Sequence, residues 1–372
     1  MRVILFILFL FIPAGSISAQ ELHHDLQGVW RAEVLEVVKE EQGVVLGTRI
    51  ENSIQTLRAV LLDGVREGEE ITFENDYLEL KPGDKFYVDY MVTIDGREFY
   101  SVREIDRRFS MLFLLGIFVA TILIFGGMQG LRSLISLAGS LLVIIYVLVP
   151  TLVQGISPVP VSIAVAGAVL FCAIFFTHGF NRRSLIAYAG TMIAVGITGL
   201  LAYFSIQGTG LTGFSSDESI YLNFNTGGQL DFVGLLLAGV IIGALGVLDD
   251  IAVTQVAVVR ELFSTDQTLT RAEVYHRAVR IGKEHVGALV NTLVLAYTGV
   301  ALPILLLFSM SESTLFAILN REIFATEIVR SLVGSIGLVL TVPITTLLAV
   351  WFLYHERGNG IEEKNHGHHH YH

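Results

Sequence analysis

Hydrophobic and polar residues change their period along this chain. A short apolar run heads it, residues 20–108 alternate in twos, and long apolar runs follow from Phe109. In the alternating part Phe86, Val88, Tyr90, Val92 and Ile94 interleave with Tyr87, Asp89, Met91 and Thr93. That is the period of a strand with one buried face. Pro82-Gly83 marks a turn before it, and Asp95-Gly96 a hairpin turn after it, into Arg97–Val102. Val29–Val38, Ile54–Leu62 and Glu70–Phe73 complete five short strands. Five such strands predict a small β-barrel, OB-like or similar.

The rest reads as helices in lipid. Seven apolar runs, Met111–Gly127, Leu131–Val149, Val159–Phe176, Leu185–Ile206, Phe232–Leu248, Val286–Phe308 and Ile328–Tyr354, are each near the length that crosses about 30 Å of hydrocarbon. The expected fold is therefore an α-helical polytopic membrane protein of about seven transmembrane helices behind a small β-domain. Residues 1–19 place Arg2 before about ten apolar residues and then small residues to Ala19, the plan of a secretory signal peptide. The expected division is a leader 1–19, an exported β-domain 20–108, a membrane domain 109–355 and a His-rich tail 356–372. Gln207–Gln229 reads as an irregular exposed loop. Leu315–Phe324 reads as a short interfacial helix, and Ser264–Lys283 as a charged helical segment.

Composition agrees with this reading. Of 372 residues 53% are hydrophobic and 16% charged, against about 25% charged in soluble domains. The net charge is −11, and residues 20–108 carry 20 Asp/Glu against 11 Lys/Arg. This acidity belongs to the β-domain and speaks against nucleic-acid binding. With that domain outside, the inner connections hold Arg132, Arg182, Arg183, Arg260, Arg271, Arg277, Arg280 and Lys283, then Arg357 and Lys364. The outer ones hold Arg321 and Arg330, as the positive-inside rule asks. Arg103, Arg107 and Arg108 count against it. The expected location is a bacterial cell membrane with the C-terminus in the cytoplasm. Cys172 is the one cysteine, so no intrachain disulfide forms.

The fifth run concentrates the candidate chemistry. As a helix it sets Gly239, Gly243, Gly246, Asp250 and Thr254 at steps of four, three, four and four, on one stripe. Small residues on such a stripe let a neighbouring helix approach, which would turn Asp250 into a helix contact. Asp249 lies about 100° round the helix. A charge at the bilayer centre costs roughly 2.5–3.5 kcal/mol on insertion scales.

The stretch Gly243–Leu262 resembles the YibE/F family of bacterial membrane proteins. Thr177–Ser184 (THGFNRRS), Gly282–Gly299 and Glu327–Thr346 resemble it too, in the same order, so that the likeness spans Phe109 to Trp351. The resemblance implies a multi-pass bacterial membrane protein led by an export signal. It implies no catalytic residues.

Two further runs carry polar faces: Glu284, Gly287, Asn291 and Thr298 on the sixth, and Ser331, Gly334, Thr341 and Thr345 on the seventh, with Pro343 as a kink. If the faces converge, Asp249, Asp250, Thr254, Asn291, Glu284, Thr341 and Thr345 line an ion or substrate path. Carboxylate and amide oxygens suit hard cations, and a desolvated Asp can carry a proton. The competing reading sets the acid pair just past the helix end, in water, paired with Arg182, Arg183 or Lys283. His178, Asn181, Arg182 and Arg183 form either an inner gate or head-group site, or a positive-inside anchor with Gly179 as C-cap. His285 beside Glu284, and the tail histidines His366, His368, His369, His370 and His372, are weak metal candidates, and His23 and His24 decide nothing. No P-loop, H-E-x-x-H or G-x-S-x-G motif occurs, and no enzyme activity and no cofactor are expected. The expected function is a transporter, or the membrane subunit of one, for an ion or small solute. The alternative is a sensor or scaffold whose β-domain binds an envelope partner. Lipid is a partner in either case, and the glycine faces also suit a homo-oligomer.

Overall fold

The computed structural model describes residues 27–44, 51–93, 96–312 and 314–366. The leader 1–19, His23, His24, Asp95 and the tail from Gly367, with His368, His369, His370 and His372, lie outside the described residues. The chain divides into two compact units, with the boundary between Ile124 and Phe125.

The first unit is a five-stranded antiparallel sheet of β1 (Gln27–Val44), β2 (Glu51–Leu61), β3 (Glu70–Asn75), β4 (Lys85–Val92) and β5 (Glu98–Ile105). The strand order is β3-β2-β1-β4-β5. β1 serves two neighbours. Gln27–Glu33 pairs with β4, and Ala32–Val44 pairs with β2 through register shifts after Val34 and Val37. Bulges bend a strand and raise its twist, and the sheet here curls into a half-barrel. The expected alternation is present: Phe86, Val88 and Tyr90 point inward from β4. They join Trp30, Ala32, Val34, Leu57, Ala59, Leu61 and Phe73 in one core. Trp30 stacks on Tyr90 at 4.6 Å, Tyr90 meets Tyr100 at 5.3 Å, and Tyr100 of β5 meets Phe73 of β3 at 6.3 Å. The rings thus bridge the two edge strands, between which the described residues form no ladder. Pro82-Gly83 does make its turn. Gly83 takes φ +90°, and the Asp84 N–H reaches the Lys81 carbonyl at 3.0 Å.

The helices follow; the start of the first, α1 (Arg108–Val143), groups with the sheet up to Ile124, and the rest forms the second unit. α1 continues through a π-turn to Val153, and α2 (Pro158–Phe171) through a π-turn to Phe176. Then come α3 (Arg182–Thr209), α4 (Asp217–Asn225), α5 (Phe232–Thr265), α6 (Arg271–Val300), α7 (Leu302–Ser309), α8 (Leu315–Leu319) and α9 (Glu322–His366). α3, α5 and α9 pack mutually, and their Val, Leu, Ile and Ala side chains fill two adjoining cores. Two of their approaches use glycine. A Cβ on Gly190 of α3 would lie 2.7 Å from Thr345 Oγ1, and one on Gly337 of α9 would collide with Thr198 Oγ1 of α3.

Three expectations change. Among the described residues five helices are long and apolar enough to cross a membrane, six if α6 and α7, bent by 61°, count as one span. The first two runs merge into one 46-residue element, Arg108–Val153, interrupted at Gly127, whose φ of 52° and ψ of −134° are not helical. Gln207–Gln229 is not wholly irregular. α3 runs on to Thr209, and Ser216 with Ser219 forms a capping box that starts α4, with Asp217 and Glu218 favourably placed in its first turn. The charged segment after α5 is not separate from the sixth run, because α6 begins at Arg271 behind a Thr270–Glu273 capping box and continues unbroken to Val300.

Candidate functional site

α5 is one continuous helix through Asp249-Asp250 and the apolar run Ile251–Val259. Asp231 caps it, its carboxylate accepting from the Gly234 N–H at 2.9 Å. The acids stand at mid-length, with Asp249 half-buried and Asp250 exposed. The Asp250 N–H donates to Asp249 Oδ1 at 3.0 Å. Among the described residues neither carboxylate forms an ion pair, and the expected partners Arg182, Arg183 and Lys283 do not reach them. Asp250 also has a charge relationship with His178. Burial pushes that imidazole below its ordinary pKa, while Asp250 pulls it upward.

The glycine stripe does not seat a neighbouring helix along its length. Gly239, Gly243, Gly246, Asp250 and Thr254 all lie on the exposed side of α5. A Cβ on Gly243 would lie 2.9 Å from the Tyr297 hydroxyl, one on Gly239 4.0 Å from Arg330, and Gly246 has nothing within 4 Å. The physical reason is that the opposite face of α5 is wider and more apolar. Leu237, Val240, Ile241, Ala244, Leu248, Ile251 and Ala252 go to the core.

The proposed polar path separates in the same way. Thr254, Glu284, Asn291 and Thr298 are exposed, whereas Thr341 and Thr345 are fully buried. The Thr341 hydroxyl donates to the Gly337 carbonyl at 2.9 Å, and Thr345 fits against Gly190. The acids and the buried threonines therefore do not form one ligand set. Among the described residues no group of three or more His, Cys, Asp or Glu could hold a metal ion.

Two polar features were not singled out by sequence reasoning. Gln255 is buried between α5 and α9, with its Oε1 accepting from the Thr346 hydroxyl at 2.9 Å. Its signal was a lone amide inside an apolar run. At the start of α9, Glu322 accepts from the Thr212 N–H at 2.8 Å, the Gly213 N–H at 2.7 Å and the Thr212 hydroxyl. No pattern marks that contact, since 110 residues separate the partners.

The THGFNRRS segment makes a tight turn between α2 and α3. Gly179 takes φ +80°, and its N–H reaches the Phe175 carbonyl at 2.9 Å, an α-type bond that ends the helix after its π-turn. Asn181 caps α3, its Oδ1 accepting from the Ser184 N–H at 3.0 Å. The amide of Asn181 donates back to the His178 carbonyl at 2.9 Å.

The YibE/F-like protein family matches residues 114–355. The chain belongs to this family. Its membership and its apolar helices together make it a multi-pass membrane protein. No curated protein and no solved structure matches this YibE/F chain. The family match runs from within α1 to residue 355 in α9 and leaves the half-barrel outside it.

Proposed function

We propose that this YibE/F protein is a transporter, or the membrane subunit of one, that moves an ion or small solute, with protons carried on Asp249 and Asp250. The observation that carries this is the acid pair itself: two adjacent carboxyls at mid-length of a 34-residue apolar helix, with no ion-pair partner among the described residues. Ionisable groups inside membrane helices are costly and mark ion or proton pathways. A proton suits this geometry better than a hard cation, because calcium takes six to eight oxygens and, among the described residues, no third Asp, Glu, His or Cys joins the pair in a metal-holding group. The bent pair α6–α7, with Pro303 at the start of α7, adds a break of the kind that transporter helices carry. No catalysis and no cofactor enter this reading.

Seven crossings follow if α1 crosses twice with its break at Gly127 and α6–α7 crosses once. At about 1.5 Å per residue, 46 residues reach about 69 Å, more than twice the hydrocarbon thickness. An odd number would set the OB-like β half-barrel and the C-terminus on opposite sides, and the loop arginines favour the half-barrel outside a bacterial cell and the C-terminus inside. One observation favours the rival reading of a sensor or scaffold. The half-barrel has its own core and leaves β3 and β5 as open edges, on which an envelope partner can add a strand. The test is flux in proteoliposomes of the full chain, loaded with a pH-sensitive dye and given Na⁺, Ca²⁺ or Mn²⁺ gradients in turn. The reading expects proton movement that Asp250→Asn abolishes at normal expression. Wild-type vesicles silent to every gradient favour the scaffold.

A further inference from the structure

Beside the acid pair the bundle holds a cavity of about 260 Å³, between the turn before α3 and the second half of α5. His178, Asn181, Arg183 and Ser184 line it from one side, Arg260 and Glu261 from the other. Its size is below the roughly 300 Å³ at which pockets for drug-sized ligands begin, so it suits a small group.

Its chemistry is that of an anion host. α3 is a 28-residue helix, and its N-terminus opens here with the partial positive charge of the helix dipole. Arg183 and Arg260 have no ion-pair or hydrogen-bond partner among the described residues. Ser184 supplies the independent sign. The residue is 3% exposed, and its Oγ has no hydrogen-bond partner. A buried hydroxyl left unpaired costs free energy, and a ligand oxygen in the cavity would satisfy it. Among the lining residues Glu261 is the one opposing charge, and Asp250 acts on His178 from beyond the lining. Glu261 is exposed, and its carboxylate accepts from the Thr265 hydroxyl at 3.5 Å, which sets it at the rim.

We infer that this cavity binds a phosphate group, held by Arg183, Arg260, the Ser184 hydroxyl and the N-terminus of α3. The phosphate can belong to an anionic lipid head group or to a free phosphate; both present the same oxygens. Arginine forks match those oxygens, and charge-assisted hydrogen bonds are the stronger kind. The site does not depend on whether the chain moves a solute.

The experiment uses the full chain in two arms. In detergent, thermal unfolding is compared in sodium phosphate and in sodium chloride at equal ionic strength. In nanodiscs, phosphatidylglycerol is compared with phosphatidylcholine. Stabilisation in the first arm alone names free phosphate, and in the second alone a lipid phosphate. Arg260→Gln weakens the stabilising ligand by roughly tenfold, the loss of one charge-assisted hydrogen bond. Ser184→Ala separates binding from folding. Removing an unpaired hydroxyl leaves the unliganded melting temperature unchanged or higher, yet the phosphate-dependent shift falls. Should Arg260→Gln fail to fold, Ser184→Ala decides. No shift in either arm, or equal shifts in wild type and Ser184→Ala, overturns the site.

Discussion

Thr346 of α9 donates its hydroxyl to Gln255 Oε1 of α5 at 2.9 Å, in the interior of the bundle. Both side chains are essentially inaccessible, and Gly282 of α6 leaves the space that the Gln255 amide fills. Three helices meet at this bond. Polar bonds between membrane helices contribute about 0.6 kcal/mol on average and up to about 1.7. Thr346→Val leaves the amide oxygen unpaired, and about 1 kcal/mol of stability should be lost, read by detergent-induced unfolding. The double variant with Gln255→Leu should lose less than the sum of the singles, because the second change removes the orphaned group.

Gly337 is a sharper test of the α3–α9 contact. A methyl there collides with Thr198, whose hydroxyl is already engaged with the Ala194 carbonyl at 2.7 Å. Overpacking of this kind costs about 1–3 kcal/mol. Gly337→Ala should lower stability in that range, and adding Thr198→Ala should restore most of it. A harmless Gly337→Ala would mean that the two helices do not approach as described.

Glu322 ties the start of α9 to the loop after α3 through two backbone donors and one hydroxyl. Glu322→Gln keeps the shape and removes the charge. Hydrogen exchange at residues 210–231 should speed up while the α5 core stays protected. Unchanged exchange at Thr212 and Gly213 would remove this clasp.

The half-barrel carries an acid-sensitive contact. Arg66 binds Glu98 through both terminal nitrogens, at 2.9 and 2.6 Å, and the Tyr100 hydroxyl adds a bond at 3.1 Å. The Arg66 hydrogen bonds hold the Glu98 carboxyl below its ordinary pKa. A carboxyl lowered in the folded state stabilises it above the unfolded pKa, and that contribution is lost as pH falls through the folded value. The loss therefore develops below about pH 4.3, the ordinary glutamate value. Hydrogen exchange of β4 and β5 in the full chain should rise there, and Glu98→Gln should flatten that limb.

Much of this fold is legible in the residues, for particular reasons. The β4 alternation works because side chains in a strand have a period of two, and Phe86, Val88 and Tyr90 obey it. The direction of the glycine stripe on α5 was not legible. Periodicity puts Gly239, Gly243, Gly246 and Asp250 on one face but does not say which neighbour that face meets. The number of crossings was blurred at Gly127, because glycine both continues and breaks apolar helices. Ser184 and Arg260 came together through the packing of α5 on the start of α3, which no local pattern encodes. Gln255 was visible as a polar residue in an apolar run, but its partner Thr346 lies 91 residues away.

The depth of the acid pair tests the central claim most directly. Gly246 and Thr254 flank Asp250 on the exposed stripe, so spin labels there, in a chain with Cys172 replaced, report its surroundings in nanodiscs. Ala272, exposed at the start of α6, gives the solvated reference. The account predicts that both labels are reached by oxygen and shielded from a water-soluble nickel chelate, unlike the label at 272. Nickel access equal to that at 272 would put Asp249 and Asp250 in water and contradict a membrane-embedded proton carrier.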